Sequence, residues 1–262
     1  MSSISLVDRA PPGPTTTRRL LVSWQDPDSR SITPVGVLTQ GTPDGSDDYQ
    51  FGYLRRAETI PGFRPFVGFP ELNTMYRSPR LFPFFENRVM SSARADFGSY
   101  VESLGLTEAA TPFEILAHSE GRRATDTVEV FPEPVVDAQG RVTCCFNVRG
   151  VRSVDDAHDV IDGLSVGDQL SVAPEPENPI DPDAVIVSED GRQLGWVPAF
   201  LTPLIHEPLN AFGEEGIRLT VERIGGRNGP VHQRLLCRLT VRWPMVAPPF
   251  SGPEFELAAR TD

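Results

Sequence analysis

The sequence predicts an α+β protein of two small domains: a small antiparallel sheet with helices, then a small β-barrel with short helices. Three observations carry this. Apolar and polar residues alternate over short runs bounded by Gly, Pro, Asn and Asp, the pattern of half-buried strands. Helix starts marked by a capping residue followed by proline cluster in the middle of the first half. A Pro- and Gly-containing break then divides the chain, and short strands resume after it. A length of 262 residues suffices for two domains with separate cores.

Residues 1–17 contain Ala10-Pro11-Pro12-Gly13-Pro14-Thr15-Thr16-Thr17 and no apolar h-region, and read as a disordered leader. The first domain spans 18–134. Leu20 to Trp24 is a strand, followed by the polar turn Asp26-Pro27-Asp28-Ser29. Val35 to Leu38 is a second strand, Gly41 to Ser46 is turn chemistry, and Tyr49 to Leu54 alternates as a third. A crossing rich in Pro and Phe runs from Pro61 to Pro70. Ser78 and Pro79 then open a helix reaching Met90, Ala93 to Leu104 reads as a second helix closed by Gly105, and Thr111-Pro112 opens a third. Thr125 to Phe131 returns as a strand. Phe63, Phe66, Phe69, Phe82, Phe84 and Phe85 read as core.

Residues 135–141, between Pro132-Glu133-Pro134 and the second domain, form a linker or a hairpin turn around Asp137-Ala138-Gln139-Gly140. The second domain spans 142–245. Val142 to Val148 is a strand and Asp155 to Leu164 a short helix with one apolar face. Next comes a stiff acidic turn with four prolines in the nine positions Pro174 to Pro182, displaying Glu175, Glu177, Asp181 and Asp183. Ala184 to Val187 and Leu194 to Pro198 are strands. Phe200 to Phe212 is partly helical, broken near Pro203 and Pro208. Ile217–Arg223 and Val231–Trp243 form a hairpin across Gly225 to Pro230. The Pro-rich tail, 246–262, reads as disorder or as a peptide laid against a partner.

Composition excludes several chemistries. All 24 basic residues are arginine, so there is no Schiff-base lysine, no P-loop lysine and no ATP-pairing lysine. Three cysteines give no CxxC and no disulfide framework, and the four histidines show no metal-binding spacing. No cofactor, metal or catalytic residue is expected. Apolar runs fall far short of a bilayer span, so the expected location is cytoplasmic and off the membrane. The net charge of −12 lowers the expectation of polyanion binding, unless charge is segregated by face.

The ordered set of the Trp24 strand, Val35-Gly36-Val37-Leu38, Tyr49–Tyr53, Phe84-Phe85-Glu86-Asn87 and Pro112-Phe113-Glu114-Ile115-Leu116 resembles the first N-terminal subdomain of HipA-type toxin kinases. The kinase body that follows it in that family is replaced here by other sequence. The resemblance implies a non-catalytic antitoxin-like or adaptor subunit that binds a separate HipA-like kinase. Met75, Tyr76 and Arg77, between the crossing and a helix, combine the side-chain types of an interface anchor and are the candidate partner-binding set.

Phe146–Arg152, Gly167-Asp168-Gln169-Leu170, the run Glu175 to Val185 containing Asn178-Pro179-Ile180-Asp181, and Gly195-Trp196-Val197-Pro198 resemble the HIRAN domain, an SH3/OB-like barrel. The resemblance implies capture of single-stranded DNA or DNA ends, with Arg152, Asn178 and Asp181 at the polar positions of the pocket. The two positions of its stacking tyrosines are Ser153 and Ile180, which carry no ring. Trp196 reads as core or as a base-stacking ring. Arg234, Arg238 and Arg242 share one parity of the last strand, opposite Leu235, Cys237, Leu239 and Val241, and offer a basic face for a phosphate backbone. Two readings remain: the adaptor just described, or a DNA-binding sensor whose first domain is structural or dimerising.

Overall fold

The computed structural model describes residues 19–28, 31–41, 48–123, 126–227 and 229–259. The expected leader over 1–17, the turn residues 42–46 and the hairpin-tip Asn228 lie outside the described residues. The chain is α+β, with two antiparallel sheets and few helices.

The first sheet has the order β4-β3-β2-β1-β5, from β1 (Arg19–Gln25), β2 (Ile32–Gln40), β3 (Tyr49–Tyr53), β4 (Tyr76–Ser78) and β5 (Val128–Pro132). One face carries Leu20, Val22, Phe51 and Tyr53 into a core filled by the Phe-rich crossing, with Phe66, Phe69 and Phe85 buried. Phe51 touches Phe69 at 4.4 Å and Phe85 at 5.5 Å between ring centroids. Three helices complete the domain: α1 (Pro83–Glu86), α2 (Phe97–Ser103) and α3 (Pro112–Ser119).

Capping chemistry starts α3 as expected but does not start α1. Thr111 and Glu114 form a full capping box at the start of α3, with Pro112 in the first turn. The helix expected from Pro79 instead starts at Pro83 and lasts one turn. Ser78 ends strand β4, and its hydroxyl is spent on the Arg80 backbone, 2.6 Å to the carbonyl oxygen and 3.2 Å from the amide. The second expected helix shortens to Phe97–Ser103.

The second sheet has the order β10-β9-β8-β11-β12-β7-β6, from β6 (Val135–Val136), β7 (Arg141–Asn147), β8 (Gln169–Pro174), β9 (Val185–Glu189), β10 (Arg192–Trp196), β11 (Ile217–Ile224) and β12 (Leu235–Arg242). A single bridge joins Arg149, just past β7, to Trp196 at the end of β10. Helices α4 (Ala157–Gly163) and α5 (Pro203–Phe212) close its core. Pro203 starts α5 rather than breaking it, and Pro208 sits inside the helix.

Strand β5 joins the two halves through its period of two. Val128 and Val130 enter the first core, while Glu129 and Phe131 face the second domain. Phe131 packs on Phe200 with centroids 4.1 Å apart. The Pro-rich tail, read from sequence as disorder or a partner-bound peptide, instead returns to the first sheet. Phe250, Phe255 and Leu257 cover Leu21, Val37 and Leu54, and the Ala258 amide donates to the Tyr53 carbonyl at 2.8 Å. The back face of that sheet is apolar and needs this cover.

Candidate nucleic-acid interface

Where the domains meet, a cavity of about 310 Å³ is lined by Arg122 from the loop after α3 and by Arg149, Gly150, Arg152 and His232 from the second domain. Its floor is a buried ion network. Glu120, in the left-handed conformation that ends α3, lies 3.0 Å from Arg149 and accepts from the Asn147 amide group at 3.0 Å. Glu129 on β5 pairs with Arg149 at 2.7 Å and with Arg122 at 2.9 Å.

The electrostatics of this floor follow from burial. Desolvation raises the Glu129 carboxyl above its usual range, Arg149 and Arg122 pull it back, and Glu120 adds to the rise. Burial opposes the Arg149 charge, but the two carboxylates outweigh it and the net shift is upward. Arg149 Nε and Nη1 are buried without a hydrogen-bond partner. His232 is pushed below the usual imidazole value by burial and then by Arg122. Three arginines thus face two carboxylates, and Arg152 is exposed with no ion-pair or hydrogen-bond partner for its guanidinium among the described residues.

The Pro174–Trp196 stretch lies outside the lining of this cavity and meets it through the Arg149–Trp196 bridge and Gly150. Trp196 lies across Gly150, where an added Cβ would come within 2.5 Å of the indole. Gly195 has φ +149° and presses against the Arg149 carbonyl, 2.2 Å from where a Cβ would stand, so glycine is required there by the Arg149–Trp196 bridge. Glu175 accepts from the Trp196 indole N–H at 2.7 Å and from the Asn178 side-chain amide at 2.6 Å. These two donors hold its carboxyl below the usual range. Asn178 Oδ1 accepts from the Ile180 and Asp181 amides, and Asp181 Oδ1 from the Asp183 amide. Asn178 and Asp181 therefore shape their own turn, as Asx residues before proline do. Ile180 is 83% exposed, and Ser153 is also exposed.

The structure thus brings Arg152, Trp196 and Asn178 to one neighbourhood, linked through Gly150 and Glu175. None of the arginines expected on the last strand is in the lining of the cavity. Arg234 precedes β12 and follows a 3₁₀ turn, so it does not share the strand's parity. Its side chain is 2% exposed and pairs with Asp162, which corrects its assignment to an accessible basic face. Arg238 makes two 2.8 Å bonds to Glu222, and Arg242 is exposed but stacks 4.2 Å from the Phe212 ring. Burial raises the thiols of Cys144 and Cys237, and that of Cys145 to about 11, so all stay protonated at neutral pH.

On the first domain, Tyr76 turns its ring toward Phe69 (5.0 Å) and its hydroxyl bonds the Glu71 backbone, while Met75 packs over Gly52. Arg77 is exposed on β4, the edge of its sheet. Arg122, Arg149 and His232 were not legible as site residues, because only the docking of the domains assembles them.

No family model and no curated protein matches this chain. Two solved structures are similar in part. A protein from Lactobacillus plantarum is 23% identical, with 39% of this chain and 97% of that one covered and a TM-score of 0.28. The HIRAN domain of human HLTF is 17% identical, with 40% and 78% covered and a TM-score of 0.26. At these scores neither likeness carries the function argued below. No helix among the described residues is long and apolar enough to cross a membrane.

Proposed function

We propose that this is a non-enzymatic binding protein that holds single-stranded nucleic acid by a backbone phosphate diester near its end, in the cavity at the domain junction. The observation that carries the reading is the excess cation there. Arg122 and Arg149 are committed to Glu120 and Glu129, which leaves Arg152 free at the mouth to take a phosphate. Trp196, held beside Gly150 by its bond to Glu175, supplies an aromatic face next to that arginine. The acidic turn beyond it repels backbone and confines the strand to the arginine side.

Fluorescence anisotropy of a labelled single-stranded 12-mer, titrated across a salt series, tests this. Arg152→Glu lowers affinity about tenfold and makes the salt slope shallower by about one. Equal binding by the variant, or none by the wild type at low salt, overturns it.

A second reading keeps the first domain as an adaptor for a separate HipA-like kinase. It draws on the open outer edge of β4, where Arg77 is exposed. Co-purification with such a kinase, lost on Arg77→Glu, is its test.

A further inference from the structure

We propose that the bound strand continues from the junction cavity onto the first domain, where a second basic pocket takes another of its phosphates. This rests on the reading above. The lining of the second cavity, about 360 Å³, includes Asn87, Arg88, Ser91, Arg94, Tyr100 and Arg123. Arg88 is buried and neutralised by Asp126 through bonds of 2.9 and 2.7 Å. Arg94 is paired with Asp96 at 2.8 Å. Arg123 is exposed and has no ion-pair partner among the described residues. The balance repeats that of the first cavity, three arginines against two carboxylates, with one guanidinium uncommitted.

The two cavities are joined covalently. Arg122 lines the first and Arg123 the second, and consecutive Cα atoms stand about 3.8 Å apart. The pair is held from beneath by one residue. Arg88 Nη1 donates to the Gly121 carbonyl at 3.1 Å on one side of it and to Asp126 on the other. Arg88 also stacks on Phe84, 4.5 Å from the ring centroid, so the clamp is anchored in the first core. Two neighbouring anion sites fixed to one clamp suit a ligand carrying phosphates in series, and the half-buried Tyr100 stands in the lining of the second. A single small anion needs only one of them.

Labelled single-stranded oligonucleotides of two and twelve residues, DNA and RNA, titrated against the full chain separate the two claims, because a dinucleotide carries one backbone phosphate and cannot fill both sites. Arg123→Glu lowers 12-mer affinity about tenfold and leaves the 2-mer within about twofold, whereas Arg152→Glu lowers both. Arg94→Gln, across the second pocket, gives the Arg123 pattern more weakly. If Arg152→Glu weakens both lengths while Arg123→Glu and Arg94→Gln leave the 12-mer unchanged, the second pocket is not a strand site and the first reading stands. If Arg123→Glu weakens both lengths equally, Arg123 belongs to the first contact and the extension is wrong. If the wild type binds neither length, both claims fall together.

Discussion

Glu120 and Arg149 lie 3.0 Å apart across the junction, one closing α3 of the first domain and the other following β7 of the second. The Glu120 backbone is left-handed at φ 61°, which turns its side chain out of the helix and toward the partner domain. The pair therefore fixes how the domains dock and, with that, where the arginines of the cavity stand. Removing Arg149 leaves Glu120 and Glu129 buried without their shared counter-ion. Arg149→Met should cost about 3–5 kcal/mol in urea unfolding. A loss under about 1 kcal/mol means water reaches the network and the docking does not depend on it.

His232 gives a pH dependence with a definite sign. In the free protein its imidazole is held neutral, below the usual value, by burial and Arg122. A bound phosphate diester favours the imidazolium, so binding takes up a proton and tightens as pH falls. The gain starts as pH falls through the imidazole pKa of the complex and is complete below the lowered value of the free protein, and amounts to a few-fold between about pH 7.5 and 5.5. Oligonucleotides without terminal phosphates keep the ligand charge constant over this range. His232→Gln should flatten the profile, while a slope unchanged in that variant places the titrating group elsewhere.

The arginines of the last strand should be bystanders. Arg238 is saturated by Glu222 and Arg242 lies on Phe212. Arg238→Gln and Arg242→Gln should each change oligonucleotide affinity by less than about twofold, since exposed charges outside the contact contribute little after screening. A tenfold loss in either restores the strand face as the contact surface.

These contrasts show what the sequence made legible. Local chemistry was readable: the Thr111–Glu114 capping box, the Asx turns at Asn178 and Asp181, and the alternation that buries Leu235, Cys237, Leu239 and Val241. Strand parity failed at Arg234, because Val231–Gln233 is a 3₁₀ turn and the strand begins one residue later. The cavity itself was hidden, since Arg122 and Arg149 are 27 positions apart and meet only through Glu129. The tail was misread because its prolines suggested an extended, unpartnered peptide. Its Phe250, Phe255 and Leu257 were the signal that it has a surface to cover.

Removal of residues 246–262 should therefore destabilise the first domain. It uncovers Leu21, Val37 and Leu54 and removes three apolar side chains that pack on them. The expected loss is about 2–5 kcal/mol, from partial burial of three large apolar groups. Thermal unfolding of the truncated chain measures it, and an unchanged Tm means the tail contributes no net cover.

The location of the ligand is the central claim, and a titration followed by NMR reads it directly. With backbone amides and arginine Nε–H groups assigned, a single-stranded pentanucleotide is added to the full labelled chain. Gly150, Arg152, His232 and the Trp196 indole N–H should shift together, while Arg238 and Arg242 stay still. Shifts confined to Arg238 and Arg242, with the junction cavity silent, would contradict the account.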